Sequence, residues 1–476
     1  MMRMKRLLVL RTGGLLLVGL LAAACGTAAA DGMPSVPPIA APAGFGPQFY
    51  GVNFDLETNS LFANDPNVDH HVASLHPGTI RWPGGTEADF YDWHTGTVPH
   101  NTFKFTLQNL DDAWQATGPT PATRATPMFD LNVLANPTDT SDQIQMLRNA
   151  QGMGLPVHYV ELGNELYFSG PNNAFSNGFP TGTDYGKTVA AYVKQLHQQF
   201  PGVQVGADAA LHPAPNTPRE DTWNAEMLAA AAAGGGSPDA VILHNYPGPS
   251  FANLTMADLP TLFGGPYKAV ADIAAITKSL GDRPIWLTEY NLDPWVNGHH
   301  GGPQPPNAVQ TSYAHELFLA ELGLMLPRAD HVTLADNWST FGKTPFLGAW
   351  ADPANPSLTP PGQAVRWLGA AGQGATSSVP ITVPGVPTLP DGQPAVTGQA
   401  FRGAGRATTA VLVNLTTGVQ AVPVSADVPA GAPYEQVTGD PTAQQAVAGL
   451  PQHGKVSATA LLLPPYSVTL VDTTAD

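Results

Sequence analysis

Two glutamates occupy positions suited to carboxylate chemistry. In Tyr159 to Phe168, YVELGNELYF, apolar Tyr159, Val160 and Leu162 make a short buried strand, Gly163 breaks it, and Asn164 and Glu165 follow where the strand leaves the core. In Pro284 to Asn291, PIWLTEYN, a second apolar run ends in Glu289 and Tyr290. Cleaving a glycosidic bond needs a proton for the departing oxygen and either a nucleophile or an activated water at the anomeric carbon. One carboxyl must therefore be protonated while its partner is ionised. A single strand-end Glu is often a helix cap or a surface charge. The pair, with Asn164 beside one member and Tyr246 in the run HNY, points to a glycosidase.

The elements that position these residues repeat from Phe49 to about residue 370: a short apolar strand, a loop of Gly, Pro, Asn or Asp, then an amphipathic helix. Eight strands are predicted, over Phe49–Phe54, Thr79–Trp82, Thr126–Leu131, Val157–Leu162, Val203–Ala207, Ala240–His244, Ile285–Thr288 and His331–Ala335. The clearest helices are predicted over Asp142–Gln151, Tyr185–Gln199, Trp223–Ala233, Tyr267–Leu280 and Val309–Leu326. Eight β/α units imply a (β/α)8 TIM barrel, here residues 48–372, and such barrels build their sites at the C-terminal ends of the strands. The polar residues at those ends are Asn53 and Asp55, Arg81 to Gly85, Asp130 and Asn132, Asn164 and Glu165, Asp208, His244 to Tyr246, Glu289 and Tyr290, and Asn337 with Trp338. Glu161 shares the strand parity of Glu165 but lies deeper, which assigns it to a buried pair with Arg81. From residue 373 to 476 helical periodicity fades, and short strands such as Thr409–Leu415 and Ser467–Val471 predict an antiparallel β-sandwich capping the barrel.

Charged residues are only 12% of the 476, hydrophobic ones 43%, and Gly and Pro number 49 and 48. That is a folded chain with many shaped loops rather than a disordered one. Residues 1–24 read as a signal peptide: Arg3, Lys5, Arg6 and Arg11, then an apolar stretch, then Ala22 to Ala24 before Cys25, the sole cysteine. The run resembles a bacterial lipoprotein cleavage box, with Ala22 where Leu is usual, and implies lipidation at Cys25 and an exported, cell-surface lipoprotein. The alternative is cleavage near Ala28 to Ala30 and release of a soluble secreted protein. The apolar run is too short for the roughly 20 residues of a membrane span. Residues 25–47, rich in Pro and Ala, read as a tether. Removing residues 1–24 takes away four basic and no acidic side chains, so the net charge moves from −17 to −21. An acidic protein without a basic, aromatic-interleaved patch is a poor partner for nucleic acid.

A metal site is the rival use of so many strand-end polar groups. The chain has no HExxH run, and the adjacent pairs His70 with His71 and His299 with His300 have surface or supporting contexts, so neither metal nor other cofactor is expected. Trp82, Trp93, Trp295 and Trp338 have the faces to stack on a sugar, though Trp is also a common core filler, and Trp338 is the one assigned to the substrate.

Four runs, GNE at 163–165, TEYN at 288–291, RWPGGTEADFYDW at 81–93 and LPPYSVTLV at 463–471, together resemble the clan A retaining glycoside hydrolases, in particular the family 51 α-L-arabinofuranosidases and the family 79 heparanase-like β-glucuronidases. That resemblance covers most of the chain after residue 47 and implies a barrel with a C-terminal β-sandwich. It implies Glu165 as acid/base, Glu289 as nucleophile, Asn164 on the sugar 2-hydroxyl, and Arg81 holding the nucleophile ionised. His244 and Tyr246 match a sixth-strand pair whose Tyr lies beside the nucleophile. Tyr290 departs from family 51, where Trp typically follows the nucleophile. The expected function is a retaining glycosidase with a carbohydrate substrate and its two carboxyl groups about 5 to 5.5 Å apart. The alternative is a noncatalytic cell-surface carbohydrate-binding lipoprotein on the same fold.

Overall fold

Eight parallel strands close in chain order into a barrel: β1 (Tyr50–Asn53), β2 (Thr79–Trp82), β3 (Thr126–Asp130), β4 (Tyr159–Glu161), β5 (Gln204–Asp208), β6 (Ala240–Asn245), β7 (Ile285–Tyr290) and β8 (Val332–Asn337), with β8 returning to pair β1. The structure, a computed structural model, describes residues 44–99, 101–211, 218–294, 307–342, 348–406 and 408–473. These lie in one compact unit, Ala40–Asp476. The signal peptide, Cys25, most of the tether, Trp295, His299 and His300 lie outside the described residues.

Alternation along the strands sorts the barrel interior into layers. Tyr159, Met128, Ala240, Ile242, Trp286 and Leu334 form an apolar floor, with Gly206 leaving room for the Trp286 ring. Two residues further along the same strands, Asp130, Glu161, Asp208, His244 and Thr288 face the same side, one layer nearer the C-terminal ends. Irregularities in pairing fall between Ile242 and His244 on β6 and between Leu287 and Tyr290 on β7. The break on β7 lets two consecutive residues turn inward. Thr288 Oγ1 donates to Glu161 at 3.2 Å, while Glu289 accepts from Arg81 at 2.8 Å.

The expected elements are present with shifted ends, and the shifts have local causes. The helix Gly182–Gln199 begins before Tyr185 because the Thr181 hydroxyl accepts from the Asp184 N–H at 3.2 Å, a polar cap that apolar periodicity does not mark. The helix Tyr313–Met325 begins after Val309 because Ser312 N–H is turned back to Val309 O and Ser312 bridges to Gln444 of the C-terminal region. All thirteen of its residues are buried. It has no solvent face, because the C-terminal sheets cover the side away from the barrel.

Those sheets are a six-stranded antiparallel one, order β11-β12-β13-β18-β15-β16, and a two-stranded ribbon, β14-β17, following a two-residue hairpin, β9 (Trp350–Ala351) and β10 (Ser357–Leu358). Here β11 is Ser377–Pro380, β12 Val396–Arg402, β13 Thr409–Asn414, β14 Gln420–Pro423, β15 Pro433–Thr438, β16 Gln452–Lys455, β17 Ala460–Leu463 and β18 Ser467–Asp472. Period-two alternation divides β13 between two cores. Val411 and Val413 join Phe45, Tyr50, Tyr313 and Leu317 in the barrel's outer core, whereas Ala410 and Leu412 pack with Val422, Leu461 and Leu463 of the ribbon.

The floor layer yields a stability test. A Cβ on Gly206 would lie 2.7 Å from the Trp286 ring and 2.8 Å from Ile242. Gly206→Val should therefore lower the unfolding free energy by about 1–3 kcal/mol through overpacking, read as a shift in the urea midpoint. An unchanged midpoint would show that the floor is not close-packed there.

Candidate active site

Arg81 is the centre from which the site is built. It sits on β2, fully buried, and its five N–H donors are all taken. Nε donates to Glu161 Oε2 at 2.7 Å, Nη1 to Asn53 Oδ1 at 2.9 Å and Glu289 Oε1 at 2.8 Å, and Nη2 to Glu161 Oε1 at 2.9 Å, Asn164 Oδ1 at 2.8 Å and Asp130 Oδ2 at 3.1 Å. One guanidinium thus ties β1, β3, β4, β7 and Asn164, three residues past β4, to a common point. The expected pairing with Glu161 is present, as a two-point fork.

Above this centre the two glutamates face each other with His244 between them. Oxygen atoms of Glu165 and Glu289 and a ring nitrogen of His244 all lie within 4.8 Å of one another. His244 Nδ1 is 3.0 Å from Glu165 Oε1 and 3.5 Å from Glu289 Oε2, and its Nε2 is 3.1 Å from Thr288 Oγ1. The Tyr246 hydroxyl donates to Glu289 Oε2 at 2.6 Å, so each Glu289 oxygen holds one donor. Tyr167 OH is 3.4 Å from Glu165 Oε1. The two side chains differ in access to water, 25% exposed for Glu165 against 7% for Glu289. The three groups converge as metal ligands do, but each already has hydrogen-bond partners in the protein.

Burial and one shared cation set the titration of this cluster. Burial raises Glu289 above the usual carboxylate range, with His244 and Arg81 pulling it back down and Glu165 adding to the rise. The expectation that Arg81 leaves Glu289 with a lowered pKa is therefore corrected. The guanidinium acts in that direction, but it is divided among three carboxylates and burial outweighs it. Burial opposes the charged form of His244, yet the Glu289 charge and the Glu165 hydrogen bond overcome it and raise its pKa. Asp130 is pushed up by burial and by Glu161, Asp208 likewise, and Asp89 chiefly by burial.

Other strand-end residues divide between the site and its support. Asn53 and Asp130 bind Arg81, as described. Asp55 caps the short helix Leu56–Asn59 through Thr58, and Asn132 binds Tyr91 O and the Ala135 N–H, so both are structural. Trp338, 8% exposed, lies against Gly85, where a Cβ would come 2.6 Å from its ring, and its carbonyl accepts from the Asn291 amide. Trp82 is a core residue, and Trp93 donates to Asp142. His71 packs on Trp350 and pairs with Asp65. Two further carboxyls support the site, and sequence reasoning singled out only one of them. Asp89 Oδ1 accepts the Asn164 N–H and Asp208 Oδ2 the Leu166 N–H, both at 3.2 Å, so buried carboxyls grip the backbone on either side of Glu165. Asp208 was visible as a strand-end residue; Asp89, in a loop, carried no such signal.

No protein-family profile matches this chain, and no curated protein matches it in sequence. Solved structures do match in fold. An α-L-arabinofuranosidase from Thermotoga maritima, in an arabinose complex, superimposes with a TM-score of 0.62 at 17% identity over 90% of this chain and 97% of that one. A family 51 α-L-arabinofuranosidase from Bifidobacterium longum gives 0.65 at 15% over 90% and 96%. A 4-O-α-L-rhamnosyl-β-D-glucuronidase from Fusarium oxysporum, in a Rha-GlcA complex, gives 0.60 at 17% over 92% and 99%. At these identities the likeness establishes the fold, a closed eight-stranded barrel with C-terminal antiparallel sheets.

The buried carboxyls beneath the site make stability fall as pH rises. Asp336, on β8, is pushed up to about 8 by burial, against a hydrogen bond from Thr79 and the charge of Arg81. Its folded pKa lies above its unfolded one, so its stabilising share is complete below about pH 4 and is lost as pH rises through about 8. Unfolding free energy should accordingly decline between pH 5 and 8.5, and Asp336→Asn, which cannot ionise, should flatten that slope. Equal slopes for the two proteins would remove Asp336 from the account.

Proposed function

We propose that this protein is a retaining glycoside hydrolase cleaving O-glycosidic bonds in a polysaccharide or glycan. The observation that carries this reading is the pair Glu165 and Glu289, facing each other across the barrel mouth with oxygens within 4.8 Å. A retaining pair stands about 5–5.5 Å apart, whereas an inverting pair needs about 6.5–9.5 Å to admit a water.

Glu289 is the nucleophile. It is the more buried of the two, and Arg81 and Tyr246 bind one oxygen each, which orients the carboxylate and counters part of the rise that burial causes. Two carboxylates this close cannot both be charged cheaply, so with Glu289 ionised the proton of the pair rests on Glu165. Its greater exposure suits a group that must meet a leaving oxygen and then a water. Glu165 protonates that oxygen as Glu289 bonds to the anomeric carbon. As the resulting glycosyl-enzyme is hydrolysed, Glu165 takes the proton back from the attacking water. His244 bridges the two carboxyls and holds their separation, with Thr288 anchoring its far nitrogen. Asn164, held by Arg81, is the residue for the sugar 2-hydroxyl, and Trp338 for the sugar face.

Because the two glutamates serve different steps, their variants should differ. Glu289→Ala should nearly abolish hydrolysis of every substrate, and azide should restore turnover with an inverted glycosyl azide. Glu165→Ala should still be glycosylated by dinitrophenyl glycosides, whose leaving group needs no proton, should accumulate the intermediate, and should yield a retained azide product. A retained azide product from Glu289→Ala and an inverted one from Glu165→Ala would exchange the roles. Full activity in both would move the site elsewhere, whereas a wild-type protein that hydrolyses no glycoside would leave carbohydrate binding without catalysis as the reading.

The sequence Ala22 to Cys25 supports a second element of the proposal, lipid anchoring at Cys25 and placement at the cell surface. Cys25→Ser should shift the protein from the membrane fraction to the soluble one with specific activity unchanged. Unaltered fractionation would refute the anchor.

A further inference from the structure

Glu165 has φ +50°, a left-handed backbone conformation that is strained for a non-glycine residue and persists only where its surroundings enforce it. On the inner side the enforcement comes from Asp89 and Asp208, which hold the N–H groups of Asn164 and Leu166. On the outer side it comes from one residue far along the chain. Arg219 lies in the first turn of the helix Pro218–Ala233, half-buried, with its guanidinium 4.6 Å above the Trp223 ring. Its donors turn to backbone carbonyls rather than to a carboxylate. Nη1 donates to Tyr167 O and Phe168 O, Nη2 to Leu166 O at 2.6 Å and Phe179 O at 2.7 Å, and Nε to Phe179 O at 3.2 Å. Leu166, Tyr167 and Phe168 are the three residues directly after Glu165.

We propose that Arg219 is a positioning residue for the acid/base step: by gathering the carbonyls of residues 166–168 it locks the turn that aims Glu165 at Glu289. This rests on the glycosidase reading above. The planar fork of an arginine suits the task, since one rigid cation spans four carbonyl oxygens that would otherwise compete for mobile partners. Arg219 has no contact with Glu289 or Arg81 among its hydrogen bonds, so its effect falls on Glu165 alone. A loop residue displaced by as little as about 1 Å can cost two orders of magnitude in rate.

The test uses Arg219→Met, which keeps an apolar stem over Trp223 but removes the donors. With alkyl glycosides or other poor leaving groups, kcat/KM should fall about 10- to 100-fold. With a dinitrophenyl glycoside the first step should stay within about threefold of wild type and a pre-steady-state burst should appear, because Glu165 is then needed only for deglycosylation. Arg219→Lys, which keeps charge and stem but not the fork, should lie between the two proteins and supplies the same readout if Arg219→Met does not fold. A merely structural role predicts a lowered melting temperature with an unchanged ratio between the two substrate types, and that result would overturn the proposal. Glu289→Ala run alongside keeps two failures apart. Its inactivity with an unchanged ratio in Arg219→Met overturns the positioning role alone, whereas its full activity overturns the assignment of Glu165 and Glu289 as the reacting pair and the role with it.

Discussion

A single buried cation among carboxyl groups is the constraint on which this structure depends. Stripping an ion of water costs several kcal/mol even after the protein relaxes, and Arg81 recovers that cost only because every donor has an acceptor. Asn53, Asp130, Glu161, Asn164 and Glu289 converge on it from four different strands and the turn after β4, so closing the barrel and building the site are the same event. Removing the guanidinium would leave three carboxylates facing one another in a dry interior. The charge also rations ionisation: one cation cannot neutralise every nearby carboxyl, and burial raises Asp130, Asp208 and Asp89 toward the neutral form.

That rationing separates the enclosed, supporting carboxyls from the pair at the barrel mouth. Asp89 and Asp208 face backbone N–H groups and act as clamps on the turn bearing Glu165. Glu161 is held at both oxygens by Arg81 and also accepts from Thr288. Glu165 and Glu289 stand one layer higher, where a substrate has access, and they share His244. The depth of a carboxyl in the barrel therefore decides its use. Residues one layer down are enclosed and bonded to Arg81 or to backbone N–H groups, and Glu165 at the mouth stays the most exposed of the set.

The C-terminal sheets contribute from outside. The helix Tyr313–Met325 is buried on all sides because it lies between the barrel and the six-stranded sheet, and its first turn is tied to that sheet's connections through Tyr313 N–H to Ala443 O and Ala314 N–H to Pro441 O. His315, in the same turn, contacts Asn291, whose amide donates to the carbonyl of Trp338. Hydrogen bonds thus link the sheets' connections, through this turn, to the rim of the site.

Much of this was legible in the chain alone. Period-two apolar runs alternating with helical periodicity can only stack as repeated β/α units, so eight such units determined a barrel, and a polar residue at a strand's C-terminal end must then sit at the mouth. That placed Arg81, Glu165, Glu289, His244 and Tyr246 in one region before any distance was known. What the pattern does not encode is contact between residues remote in sequence. Arg219 meets carbonyls some 50 positions earlier, a distance of 52 residues to Tyr167, and Asp89 grips an amide 75 positions later. Nor does alternation predict that consecutive Thr288 and Glu289 both face inward, since that follows from a break in pairing against β8. The covering of the helix Tyr313–Met325 and the burial that lifts the Glu289 pKa arise in the same way. Periodicity is a property of neighbouring residues and survives in the linear chain, whereas burial, hydrogen-bond partners and pKa are properties of surroundings that exist only once the loops have closed.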